Sequence, residues 1–212
     1  VQYTQFVRHI KKHGFDNLPG QEAQLMMAPD IRKEEIRNMG LGKTPVKSSV
    51  LILVYPGSDE NACTAFIRRP KYDGVHSGQI AFPGGRYEES DGNVMKTALR
   101  EAQEEIGIDS TQVEMAGRLT DLYIPPSNYL VSPFVGLMHK RPAFVPDKKE
   151  VEQIIEIPLR VFRDDQYLAK IPITMATGES LATPCYRVNE HTIWGATAMI
   201  MAEFVAVVRL LI

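Results

Sequence analysis

Cysteine is scarce in this chain of 212 residues: Cys63 and Cys185 are its only two. They lie far apart and outside any CxxC spacing, which argues against a zinc site or a disulfide framework and fits a reducing compartment. Both read as buried packing residues. A charge surplus of either sign is also lacking. The 24 Lys and Arg stand against 26 Asp and Glu, a net charge of −2, so there is no basic excess to neutralise a nucleic-acid backbone. Nucleic acid is thereby excluded as a partner, and any phosphate is met locally. Long apolar runs are missing as well. The most membrane-like stretch, Gly195 to Ile212, is broken by Glu203 and Arg209, each costly near a bilayer centre, so it reads as a buried C-terminal helix with no membrane partner. Residues 1 to 14 carry charges throughout and lack the apolar run and cleavage site of a secretory signal, so a cytoplasmic location is expected. The chain opens on Val1 in place of Met, which suggests processing and leaves room for a short preceding segment. Internal repeats and low-complexity segments are lacking too.

What is present is 44% hydrophobic residues over a length that suits one substantial core. A helical extension is expected over residues 1 to 45, where Ile31, Ile36 and Met39 share a helical face, followed by one domain over 46 to 212. Ser48 to Tyr55 and Ala62 to Arg69 are apolar runs ended by Pro56-Gly57 and Pro70, which predicts a strand hairpin. A glycine-rich loop with a short strand at Ile80 to Phe82 follows. Between Asp91 and Glu105, Val94, Ala98, Leu99 and Ala102 recur at helical spacing, with Ser90 or Asp91 as cap and Gly107 as the left-handed closing residue. Strands are expected at Val113 to Tyr123, Leu130 to Met138 and Val151 to Ile157. A closing hairpin over Thr183 to Val188 and His191 to Trp194 turns at Asn189-Glu190.

The chemistry concentrates in the central helix. Glu101, Glu104 and Glu105, at i, i+3 and i+4, project from one face beside Arg100. Like charges at that spacing destabilise a bare helix by roughly 0.2–0.5 kcal/mol per pair, and a hard cation such as Mg²⁺ or Mn²⁺ would relieve them. Taken alone, such a cluster is more often a solvated acidic surface. Its context favours the cation, because Phe82-Pro83-Gly84-Gly85 precedes the helix and Gly107-Ile108 follows it.

The segment GGRYEESDGNVMKTALREAQEEIGI resembles the Nudix family signature: a Gly, five residues, a Glu, seven residues, Arg-Glu, an aliphatic, any residue, Glu-Glu, any residue, Gly, an aliphatic. Gly85, Arg100, Glu101, Glu104, Glu105, Gly107 and Ile108 match by type, and Ala102 takes the first aliphatic position. Asp91 stands where the first Glu is expected, and eight residues separate it from Arg100. Both departures resemble the coenzyme A branch of the family. AFIRRPKYDGVHSGQIAFPGG resembles in part the upstream motif of that branch, through Arg69, Gly78 and Phe82 to Gly85. Ala65, Phe66 and Ile67 replace its Leu-Leu-Thr, and Gly74 stands where its second Arg falls.

The resemblance implies an α/β (α+β) fold, an α/β/α sandwich with a mixed sheet and a helical N-terminal extension, residues 46 to 212 being the hydrolase domain. It implies Glu101 and Glu105 as principal ligands of Mg²⁺ or Mn²⁺, and Glu104 as a further ligand or the base. Arg100 orients the carboxylates, and Gly85 turns tightly, with its carbonyl as another metal ligand. Arg69 and Arg68, with Gly78 and Gly84, are the implied substrate-binding residues. His76 and Ser77 read more readily as turn residues and His191 as structural, while Tyr129 and the loop 125 to 128 are placed to complete a pocket. The expected reaction is metal-dependent hydrolysis of coenzyme A or an acyl-coenzyme A to 3′,5′-ADP and a phosphopantetheine. ADP-ribose, NADH or another nucleoside diphosphate derivative is the alternative small-molecule nucleotide substrate. A non-catalytic nucleotide-binding module is a third reading, disfavoured by the intact carboxylates, and an isomerase a fourth, for which Cys63 lacks an acidic partner. Whether the N-terminal helices cover the pocket or form a homodimer interface is left open.

Overall fold

The computed structural model describes residues 1–38, 44–70, 78–174, 178 and 180–211. Three helices come first, α1 (Tyr3–His13), α2 (Gly20–Leu25) and α3 (Asp30–Arg37). The strands β1 (Val46–Pro56), β2 (Ala62–Arg68), β3 (Ile80–Ala81) and β4 (Gly84–Arg86) lead into the helix α4 (Val94–Ile106). Then come β5 (Glu114–Arg118), β6 (Leu122–Ile124), β7 (Tyr129–Leu137), β8 (Gln153–Pro158), β9 (Leu168–Thr174), β10 (Ser180–Val188), β11 (His191–Trp194) and the long α5 (Gly195–Leu211).

The strand β1 is the axis of the larger sheet. It runs parallel to β7 from the Val46–Tyr129 pair to the Val54–Leu137 pair, and antiparallel to β2 and β4. With β3, β5, β6 and β8 added, the sheet has eight strands of mixed direction. Successive side chains of β1 enter opposite cores, because strand side chains alternate faces. Leu51, Leu53 and Tyr55 pack with Ala98, Ala102 and Ile106 of α4. Ile52 and Val54 pack with Phe204 and Val208 of α5 and with Tyr3, Phe6 and Ile10 of α1. Burial on both faces explains why this strand reads as a continuous apolar run. The layers are helix, mixed sheet, helix, and no described helix is long and apolar enough to cross a membrane.

The N-terminal helices share the α5-side core and are locked to it by a polar knot. Gln24 of α2 and Glu203 of α5 are both fully buried. Gln24 Nε2 donates to Glu203 Oε2 and to the Thr120 carbonyl, each at 2.8 Å, and the Thr120 N–H donates to Glu203 Oε1 at 3.2 Å. The charge that interrupts the apolar C-terminal run is therefore satisfied inside the protein.

Several elements depart from the sequence-based expectation. The strand expected over Val113 to Tyr123 is split into β5 and β6, because the chain bulges between Met115 and Gly117 and then turns to bring Thr120 to Glu203. A Cβ on Gly117 would lie 2.1 Å from the Phe15 ring, so this strand is pressed against the segment after α1. The cap of α4 is Asn93, whose Oδ1 accepts the Lys96 N–H at 3.0 Å, and neither Ser90 nor Asp91 fills that role. Those two residues lie in a 3-10 turn, Glu89–Asp91, that precedes the helix. Gly107 does close the helix in the left-handed region, at φ 69°. The hairpin of β10 and β11 turns at Asn189 and Glu190 as expected, with Asn189 at φ 52°. On its other side β10 pairs with β9, a strand of alternating exposure that gives no continuous apolar run. Met39, Gly74, His76 and Ser77 lie outside the described residues.

Replacing Glu203 or Gln24 by Ala is expected to cost about 1–3 kcal/mol of stability, the cost of leaving buried partners unpaired. The double variant should lose less than the sum of the two, because the knot is shared; urea unfolding of the three variants measures this.

Candidate functional site

Helical spacing sends the three glutamates of α4 to different environments. Ala98, Ala102 and Ile106 face β1, which places Glu105 beneath β4, Glu101 beside it and Glu104 outward. Glu105 is buried, at 2% exposure, whereas the side chain of Glu104 is 56% exposed.

The positions of Glu105 and Glu101 depend on two glycines. Gly84 sits so close to β1 that a Cβ there would lie 2.3 Å from the Ser49 carbonyl oxygen and 2.6 Å from the Val50 Cα. Its N–H donates to Glu105 Oε2 at 2.8 Å. A Cβ on Gly85 would lie 2.4 Å from the Glu101 carboxyl carbon, so that residue must be glycine for the carboxylate to occupy this place. Burial pushes the Glu105 carboxyl up to about 8, against the pull of the Gly84 N–H and of Arg69. Burial also raises Glu101, opposed by Arg100. Arg69 Nη2 lies 3.8 Å from Glu105 Oε1 and donates to the Gly84 carbonyl at 3.4 Å.

Arg100 organises the outer side. Its Nε donates to Asp91 Oδ1 at 2.7 Å and its Nη2 to Asp91 Oδ2 at 3.2 Å, a two-pronged grip on one carboxylate. Nη1 lies 2.9 Å from both Glu101 Oε1 and Glu104 Oε2, and Nη2 also donates to the Arg86 carbonyl at 3.2 Å. Asp91 further accepts from the Thr97 hydroxyl at 2.9 Å and the Glu88 N–H at 3.0 Å. These donors, Arg100 foremost, hold its carboxyl well below the usual carboxylate range.

Of the residues singled out by sequence, the structure brings together Glu101, Glu105, Gly84, Gly85, Arg69 and Arg100, with Glu104 at the rim. Arg68 is turned elsewhere: its Nη2 pairs with His191 Nδ1 at 2.8 Å, as expected for neighbours at a strand end that point to opposite faces. Gly78 has φ 65°, and its N–H donates to the Pro70 carbonyl at 3.2 Å. One acidic residue near the site escaped the sequence reading. The loop after β7 satisfies the last carbonyls of α4, with the Val145 N–H on Ile106 O and the Asp147 N–H on Glu105 O, both at 3.0 Å. The same loop carries Glu150, whose charge contributes to raising both Glu101 and Glu105. No local periodicity marks such a residue, since only the crossing of the loop over the helix end brings it near.

Among the described residues no three His, Cys, Asp or Glu side chains form a closed metal cage, and Arg100 Nη1 lies between Glu101 and Glu104. Glu101 and Glu105 remain, two carboxylates with hard oxygen donors beside a backbone stripped of side chains at Gly85. This donor set suits a hard divalent cation. Beside it opens a cavity of about 470 Å³, bounded near the carboxylates by Gly84, Gly85 and Arg86. Tyr129 and residues 125–127 line it too, as does α3 through Pro29, Arg32 and Ile36. The N-terminal extension thus supplies part of the pocket wall through α3.

Residues 45–166 match the family model described as NUDIX domain. Nudix hydrolase 22, chloroplastic, of Arabidopsis thaliana is 31% identical over 200 residues, covering 89% of this chain and 66% of that protein. Nudix hydrolase 15, mitochondrial, of the same plant is 30% identical over 168 residues, 77% of this chain and 59% of that protein. The chain thus spans less than two thirds of the length of these two relatives. The peroxisomal coenzyme A diphosphatase ndx-8 of Caenorhabditis elegans is 30% identical over 177 residues, covering 79% of this chain and 74% of that protein. Among solved structures, the Nudix hydrolase RenU of M. smegmatis aligns with a TM-score of 0.52 at 13% identity, over 79% of this chain and 88% of that one. That likeness is one of fold.

Asp91→Asn is expected to cost about 1.5–3 kcal/mol at pH 7 by weakening a charge-assisted pair. A depressed carboxyl stabilises the fold fully above its unfolded pKa of about 3.9 and loses that contribution as pH falls toward its lower folded value. The gap between the urea midpoints of wild type and variant should therefore hold from pH 7 down to about pH 4 and narrow as pH falls further.

Proposed function

The chain belongs to the Nudix hydrolase family, and from that membership we propose that it is a divalent-metal-dependent pyrophosphohydrolase of coenzyme A or acyl-coenzyme A. Water adds across the diphosphate bond, giving 3′,5′-ADP and phosphopantetheine or its acyl derivative. The observation that carries the reading is the meeting of Glu105 and Glu101 with the Gly84–Gly85 turn, which with Arg69 also lines the neighbouring cavity. The coenzyme A assignment is supported by the likeness to a relative named as a coenzyme A diphosphatase, and by the Asp91 and Arg69 features noted in the sequence.

Glu101, Glu105 and the Gly85 carbonyl are the groups that would hold Mg²⁺ or Mn²⁺. Such an ion neutralises diphosphate charge and acidifies bound water. Arg69, beside Glu105 and the Gly84 carbonyl, faces the phosphates and offers a planar set of donors. Arg100 fixes Glu101 through a grip on Asp91 that does not depend on substrate. Glu104, exposed and hydrogen-bonded to Arg100, is assigned as the base that takes the proton of the attacking water. Arg68 and Gly78, also read as substrate contacts, are bonded instead to His191 and to the Pro70 carbonyl and are given no substrate contact.

Incubation with coenzyme A, ADP-ribose and NADH, each with Mg²⁺ or Mn²⁺, followed by mass spectrometry of the products, is the test. The expected result is fastest cleavage of coenzyme A to 3′,5′-ADP and phosphopantetheine, abolished by EDTA. Faster cleavage of ADP-ribose or NADH would overturn the substrate, and no cleavage of any would favour a binding module. Glu101→Gln should lower kcat at least a hundredfold. If Glu104→Gln keeps full activity, the base lies elsewhere, and Glu150→Gln is the next variant to measure.

A further inference from the structure

The cavity beside the carboxylates is asymmetric in its chemistry. Its charged lining residues are Arg69 and Arg86 near the carboxylates and Arg32 on α3, while Ile36 of α3, Ile173 of β9, Leu181 of β10 and Ile200 of α5 give it aliphatic walls. Ile173 and Leu181 are direct cross-strand partners, so both side chains rise from the same face of their hairpin. Five of the lining hydroxyls are engaged by the protein, while Ser127 and Tyr129 add theirs to the lining. Ser48, Ser49, Thr183 and Thr197 donate to the carbonyls of Leu130, Ser132, Leu181 and Ile80, and Tyr123 donates to Asn128 Oδ1. On the strand that carries Leu181 and the helix that carries Ile200, the hydroxyl donors of Thr183 and Thr197 are engaged, so this part of the wall offers little to the polar edge of a nucleobase and much to a hydrocarbon. The volume of about 470 Å³ lies within the range of small-ligand sites.

We propose that this cavity receives the acyl chain of an acyl-coenzyme A, and that the α3 helix and the β9–β10 hairpin set the chain length accepted, through Ile36, Ile173 and Leu181. The proposal rests on the coenzyme A reading above and names the end of the substrate that this cavity selects. The diphosphate lies at the Gly84 to Arg86 end with Arg69. The pantetheine arm leads inward, and the thioester carries the chain against the aliphatic walls. Burial of each methylene would strengthen binding by up to about fourfold, the equivalent of ~0.8 kcal/mol.

The test compares kcat/KM for coenzyme A, butanoyl-coenzyme A and decanoyl-coenzyme A in wild type, Leu181→Trp and Ile173→Trp, together with calorimetric binding of decanoyl-pantetheine, which has no diphosphate. Both substituted residues are partly exposed, so the larger ring fills the cavity without entering the core. The expected wild-type preference is decanoyl over coenzyme A by at least tenfold. It should be lost in the tryptophan variants through KM, with coenzyme A cleavage kept within about twofold. Equal rates for all three substrates, or equal losses for all three in the variants, would overturn the acyl subsite and leave the hydrolase reading standing. Decanoyl-pantetheine binding that the tryptophans abolish, without cleavage of any coenzyme A species, would support the subsite and overturn the hydrolase reading. Neither binding nor cleavage would overturn both.

Discussion

The planar guanidinium of Arg100 donates to Asp91 in the turn before α4, to Glu104 one helical turn on and to the Arg86 carbonyl of β4, and it lies 2.9 Å from Glu101 Oε1. Loop, helix and strand are thereby set to one another by a single side chain. Only with that setting does β4 arrive at the height where the Gly84 N–H meets Glu105 and Gly85 clears Glu101. Gly92, at φ 74°, lets the chain leave the 3-10 turn and enter the Asn93 cap, which allows a residue as short as Asp to reach Arg100. The site is in this sense a consequence of how one cation is shared among carboxylates.

Around that point the fold separates two tasks. The α4 side of the sheet carries the carboxylates on a rigid helix whose apolar face is closed against β1 and whose last carbonyls are capped by the loop 145–147. The opposite side, where α5, the N-terminal helices and the smaller sheet gather, builds the cavity walls. Glu203 and Gln24 bind α2 to α5, and α2 in turn leads into α3. The polar knot therefore steadies a wall of the cavity without touching the carboxylates.

Much of this was legible in the sequence because it is local. The spacing of Ala98, Leu99 and Ala102 marks α4, and Gly107 marks its end. The strand β1 is legible from its apolar run. What escaped is decided by distant partners. Asn93 and Asp91 are both good caps by type, and the choice turns on Asp91 being taken by Arg100. Arg68 and Arg69 are indistinguishable as neighbours until His191 claims the first and Gly84 the second. Glu104 matches the carboxylate cluster by spacing yet is drawn outward, and Glu150 reaches the site only through the crossing of a loop. The strand β9, with alternating exposure and Pro172 in its middle, carries a weak strand signal of its own and depends on β10 for its place.

The central claim is that Glu105 and Glu101 form a cation site held by the glycine turn. Calorimetric titration of Mn²⁺ into wild type and Glu105→Gln, with melting temperatures measured alongside to verify that both are folded, tests it most directly. The account predicts saturable binding by wild type, weakened at least tenfold in a folded variant; equal affinity in the two proteins would contradict it.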